Sequence, residues 1–143
     1  YNYEALDAAS TWIGYNLSTG RDVTLDFTPM VGGVFGSTTG IALGYEGTLG
    51  WKKLELYSEG EYLFDVESPT GNFFYNWSQL SYAPADWVFF GVVTQRTRVY
   101  DTDRDLNRGP FLGFAYKAVS LTTFVINPDD AAATVIVAVE VGF

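Results

Sequence analysis

Residues 131–143 read Ala-Ala-Ala-Thr-Val-Ile-Val-Ala-Val-Glu-Val-Gly-Phe. Ala133, Val135, Val137, Val139, Val141 and Phe143 share one parity; Ala132, Thr134, Ile136, Ala138, Glu140 and Gly142 share the other. A strand sends alternate side chains to opposite faces, so one face is continuously apolar and the other small, with a single carboxylate. About ten residues of such alternation is the length a tilted strand needs to cross a bilayer.

The same period recurs upstream. Val23, Leu25, Phe27, Pro29, Val31, Gly33 and Phe35 oppose a mostly polar set that includes Asp22, Thr24 and Asp26. Pro29 lacks a ladder donor, which predicts a bulge or an irregular pairing there. Ile41, Leu43, Tyr45, Leu49 and Trp51 alternate with Ala42, Gly44, Glu46, Thr48 and Gly50, and Leu54 to Phe64 alternates with Lys53, Glu55, Tyr57, Glu59 and Glu61. Phe73, Tyr75 and Trp77 open a further strand whose apolar parity then slips to Leu80 and Tyr82, predicting a bulge near Gln79. A strand led by Trp87, Phe89, Gly91 and Val93 carries Thr94, Arg96 and Arg98 on its other face. Pro110–Tyr116 and Ser120–Ile126 complete the set. Turns near Lys52-Lys53, Pro84 and Ala118 are short. Of the connections at the other end, three are longer and polar, and Asn127–Asp130 is compact.

Counted from Val23, this gives eight antiparallel strands in residues 21–143. Residues 1–20 form a separate N-terminal segment that fits two readings. One is a short helix over Tyr3–Ile13. The other, preferred, is a strand over Thr11–Leu17, which brings the count to nine or more unless the segment fills the lumen or lies outside it.

Composition narrows the chemistry. The 143 residues suit one domain. There is no cysteine and no histidine, which removes thiol, triad and histidine-zinc chemistry. A net charge of −9 argues against nucleic acid or an anionic surface as partner. No run of about eighteen apolar residues marks a spanning helix. No signal peptide is visible, so an exported form would be the mature or an engineered one.

The faces are assigned by content. The polar parities collect Asp26, Glu46, Glu55, Glu59, Glu61, Arg96, Arg98, Lys117 and Glu140. These charges sit among small residues, as expected of a crowded interior rather than a water-exposed surface. The apolar parities carry aromatics toward both strand ends, among them Trp51 and Trp87 at the short turns and Tyr62, Phe73 and Tyr75 at the loops. Two such belts fit the two interfaces of a membrane.

With its alternating strands, short turns at one end and a final strand closing on Val139, Val141 and Phe143, the chain resembles small bacterial outer-membrane β-barrels of the outer membrane protein A and X type. The resemblance implies an up-and-down transmembrane barrel, an outer-membrane location, lipid contact, and recognition of the terminal strand by the barrel-assembly machinery. Its loops are short, so loop-borne adhesion does not carry over.

Within the lumen, Glu55, Glu59 and Glu61 crowd on one strand face, and Arg96, Arg98 and Lys117 are the expected counter-ions, because a buried charge demands a partner. Asp101, Asp103 and Asp105 alternate like a calcium loop, but Leu106 stands where the glycine belongs and no twelfth-position glutamate follows. No cofactor and no catalysis are expected. The leading expectation is a structural or accessory envelope protein, or a subunit of a larger membrane complex, with a lumen plugged by the charged network. A narrow cation-preferring pore and a soluble ligand-binding barrel are the alternatives.

Overall fold

The computed structural model describes residues 7–67, 71–99, 105–131 and 133–142. Ten strands follow in order: β1 Ala8–Gly14, β2 Leu17–Gly20, β3 Val23–Gly36, β4 Gly40–Trp51, β5 Leu54–Asp65, β6 Phe73–Ala85, β7 Val88–Val99, β8 Asp105–Tyr116, β9 Val119–Ile126 and β10 Thr134–Val141. They form one antiparallel up-and-down sheet in the order β1-β3-β4-β5-β6-β7-β8-β9-β10, with β2 also on β3. The all-β antiparallel expectation holds, with more strands than eight.

The extra strands come from the N-terminal segment. The helix expected over Tyr3–Ile13 is replaced from Ala8 onward by β1, and residues 1–6 lie outside the described set. β1 and β2 pair with β3 in a single register, Gly14 opposite Met30 and Leu17 opposite Phe27. The break between them falls opposite Pro29. Tyr15 N–H still donates to the Pro29 carbonyl at 3.2 Å. The return bond cannot form, because proline has no N–H to give. The irregularity predicted at Pro29 therefore lies on its β1/β2 side, while Pro29 stays in regular register with Tyr45 of β4.

Two other expectations move. No bulge occurs at Gln79, which pairs regularly with Tyr57 and Val93. The register shifts instead between Tyr82 and Ala85, around Pro84, and β6 runs on to Ala85 so that the tight turn is Asp86-Trp87. A proline inside a strand is tolerated where the ladder is already interrupted. The turns at Lys52 and Lys117 use left-handed residues, with φ of 55° and 54°.

The sheet is strongly curled. Trp77 of β6 and Phe124 of β9 meet edge to face at 5.9 Å between ring centres, although three strand spacings of a flat sheet cover roughly 14 Å. One concave face holds the buried side chains, in two clusters. Val34, Ala42, Leu63 and Phe73 form the first, and Val93, Phe111, Phe124 and Ile126 the second. Leu63 and Val93 are each 1% exposed. The convex face carries Leu43, Leu49, Val92, Leu112, Leu121 and Val137, all exposed. Among the described residues no ladder joins β10 to β1, β2 or β3.

Candidate functional site

The concave face encloses a cavity of about 1480 Å³ at the short-turn end, lined by residues of β3 to β7, β9 and β10. Asp22, Thr24, Glu55, Glu59, Ser120 and Glu140 are among its walls, and Trp77 and Phe124 form its floor. Beyond that floor the two apolar clusters fill the loop half of the lumen. The interior is thus a polar vestibule backed by an apolar plug.

The polar part of the concave face centres on two glutamates, of which Glu59 lines the vestibule. Glu46 of β4 and Glu59 of β5 stand directly opposite each other in the ladder. Like charges so placed repel. Tyr57, two residues before Glu59 on the same face, puts its hydroxyl 2.6 Å from Glu59 Oε2 and 3.3 Å from Glu46 Oε1. Tyr75 of β6 donates to Glu59 Oε1 at 3.2 Å. Two phenols therefore serve Glu59, and one of them lies between the carboxylates. Their spacing follows from period-2 alternation, which puts Glu55, Tyr57, Glu59 and Glu61 on one face. Glu61 is buried, 8% exposed. Glu140 accepts from Ser120 Oγ at 3.3 Å across the β9–β10 ladder, and Asp26 accepts from Ser18 across β2–β3.

The expected counter-ions are elsewhere. Arg96 lies opposite Asn76, and Arg98 opposite Phe74. Both share the convex parity of Phe90 and Val92, opposite to buried Val93. Neither arginine faces the lumen, and this corrects their assignment to the internal charge network. Lys117 occupies the β8–β9 turn, where its ammonium sits 5.4 Å from the Tyr116 ring centre. It too is outside the network. The plug is made of aliphatic and aromatic side chains instead of salt bridges.

The aromatic belts divide as well. Trp51 and Trp87 are exposed at the turn end. Trp87 stacks on Phe114 at 6.2 Å, and Lys52 sits 5.0 Å over the Trp51 ring. Tyr62 faces outward at the loop end and packs 4.6 Å from Phe64. Phe73 and Tyr75 point inward, Phe73 into the plug and Tyr75 to Glu59, so they are not interface residues. Val139 and Val141 project outward from β10, each more than half exposed. Phe143, Asp101 and Asp103 lie outside the described residues, as does the side chain of Asp105. Among the described residues no three acidic side chains gather closely enough to hold a metal ion.

On the loop side, Arg108 Nη2 pairs with Asp129 Oδ2 at 3.0 Å. Asp129's carboxyl is held below the usual carboxylate range, first by its own backbone N–H and then by the Arg108 guanidinium.

Sequence reasoning missed the roles of Tyr57, Tyr75 and the plug. The parity of Tyr57 with the glutamates was the available signal. For Phe73, Tyr75 and Trp77 the signal pointed the wrong way, because the opposite parity holds polar Asn76 and Ser78 and so reads as the inner face.

Fold and site together define an antiparallel up-and-down β-protein with a curled sheet, a convex face that is largely apolar but carries the hydrogen-bonded cluster Tyr45, Ser58, Asn76 and Ser78, and an acidic vestibule. Set against known protein families, curated proteins and solved structures, the chain matches none.

Proposed function

We propose that this chain is a membrane-spanning β-barrel protein of a bacterial outer membrane, with a structural or accessory role in the envelope and a lumen closed by its apolar plug. The observation that carries the reading is the convex face. Large apolar side chains stand outward and exposed on strand after strand, from Leu25 and Ile41 through Leu80 and Phe90 to Val137 and Val139. Water-soluble monomers rarely expose contiguous apolar areas beyond a few hundred Å². Lipid is the solvent such a face suits. Strands of twelve residues, at about 3.3 Å each and tilted, match a bilayer's hydrocarbon core. Outward Val139 and Val141 on the last strand fit recognition by an assembly machinery.

The test is whether unheated protein folds in detergent micelles, migrating differently from heated protein with a β-type circular dichroism spectrum. A folded, monodisperse chain in plain buffer refutes the reading.

A second reading, a cation-preferring pore, is favoured by the facing carboxylates Glu46 and Glu59. The plug opposes it. Planar-bilayer recordings decide: a silent wild type supports the closed barrel, and steady cation-selective current supports the pore.

A further inference from the structure

With the counter-ion role removed, Arg96 and Arg98 stand two residues apart on the outward face of β7, near its loop end. They line a cleft of about 270 Å³ with Tyr62, Asn72, Phe73 and Phe74. The Arg96 guanidinium lies 5.7 Å from the centre of the Phe74 ring. Its Nε is buried and has no hydrogen-bond partner. Among the described residues no carboxylate pairs with either arginine. In a chain of net charge −9, a cleft with an aromatic wall and two guanidinium groups that no carboxylate among the described residues pairs suits an anion. A carboxylate would be the ordinary answer, and the neighbours Asn76, Phe74 and Tyr62 supply none.

We propose that this cleft binds the phosphate group of an anionic membrane lipid. The proposal rests on the membrane-spanning reading, since only then does the loop end of the convex face lie at headgroup depth. Guanidinium groups present planar donor pairs that match phosphate oxygens, and such bonds to a charged acceptor are among the stronger ones. The apolar neighbours Tyr62 and Phe74 suit the start of an acyl chain, and the rings keep water from competing for the donors.

The test uses the full chain folded in an alkyl maltoside, which carries no phosphate, with retained lipid counted by native mass spectrometry. Phosphatidic acid is retained over phosphatidylcholine by about tenfold. In Arg96→Gln/Arg98→Gln that preference falls to about twofold or less, and exposed Arg98→Gln alone lowers it part of the way. Lys52→Gln/Lys53→Gln, which removes the same charge at the opposite end, leaves the preference intact. Equal loss in both double variants, or no preference in the wild type, overturns the site. Inorganic phosphate added in excess leaves the lipid bound. Displacement by that excess would reassign the cleft to free phosphate and overturn the lipid assignment. The migration of unheated protein is read for each preparation. A wild type that does not fold in micelles refutes the membrane reading itself, whereas a folded chain without lipid preference refutes only the cleft.

Discussion

Replacing Leu112 by arginine separates a lipid-facing exterior from a water-facing one. Leu112 lies near the middle of β8, points outward, and is 45% exposed between Phe90 of β7 and Thr123 of β9. Its backbone is held in ladders on both sides, so the substitution does not disturb an edge. If water surrounds it, the change removes a half-exposed leucine and adds a side chain that reaches solvent freely. Surface changes of that kind fall within about 0.5 kcal/mol of zero. If lipid surrounds it, the guanidinium must be drawn toward an interface, and arginine on the lipid face near the midplane costs about 2–4 kcal/mol. That is a factor of roughly 30 to 900 in the folding equilibrium. The four tryptophans report unfolding by fluorescence, so urea titrations of wild type and Leu112→Arg in lipid vesicles measure the difference. A destabilisation under about 0.5 kcal/mol in vesicles would refute the lipid-facing assignment of this face. The control is Leu63→Arg at the 1%-exposed inner position, which destabilises strongly under either reading.

Leu63→Ala should cost about 2–5 kcal/mol by opening a cavity in the plug, read as a lower urea midpoint at unchanged slope. Tyr57→Phe leaves Glu46 and Glu59 facing each other without the shared hydroxyl, and a loss of about 1–3 kcal/mol is expected. Glu46→Gln in the same background should recover part of that loss, and no recovery would show that the two carboxylates do not oppose each other. Pro29→Ala restores a donor opposite Tyr15. The added hydrogen bond and the greater entropy of the unfolded chain nearly cancel in global stability. The amide of residue 29 should nevertheless become protected in hydrogen exchange as β1 and β2 fuse. Asp129 has a lowered folded-state pKa, so its pairing with Arg108 persists above the unfolded value of about 4 and is lost as pH falls through the lower folded value. Nuclear magnetic resonance shifts of the Arg108 side chain should follow that titration, and Asp129→Asn should abolish it.

The sequence is most legible where one strand face is polar and the other is not. β4 and β5 read correctly because Gly44, Glu46 and Thr48 alternate with Leu43, Tyr45 and Leu49, and because Glu55, Glu59 and Glu61 alternate with Leu54, Leu56 and Tyr62. β10 reads correctly for the same reason. The N-terminal segment reads less well. Its pairing partner β3 decides its conformation, and Pro29 decides where it breaks. That proline interrupts only the ladder on which its missing N–H is required, a matter of hydrogen-bond phase that side-chain periodicity does not carry.

β6 and β7 fail for a physical reason. A lumen filled by an apolar plug needs large side chains inside, and Phe73, Tyr75, Trp77, Phe89 and Val93 supply them. The outward parity of the same strands is also apolar, in Phe74, Leu80, Tyr82, Phe90 and Val92, so alternation alone does not say which face is which. Cross-strand register resolves it. Leu54 of β5 lies opposite Tyr82, Tyr82 opposite Phe90, and Phe90 opposite Leu112. Starting from β5, whose faces are unambiguous, each opposite pair shares a side of the sheet, and the outward face of β7 follows step by step. Arg96 and Arg98 fall on it, six and eight residues beyond Phe90. A charged pair at the end of an ambiguous strand was assigned inward because glutamates inside the barrel needed cations. Phenols answered that need, and the arginines face outward, where no carboxylate among the described residues pairs with them.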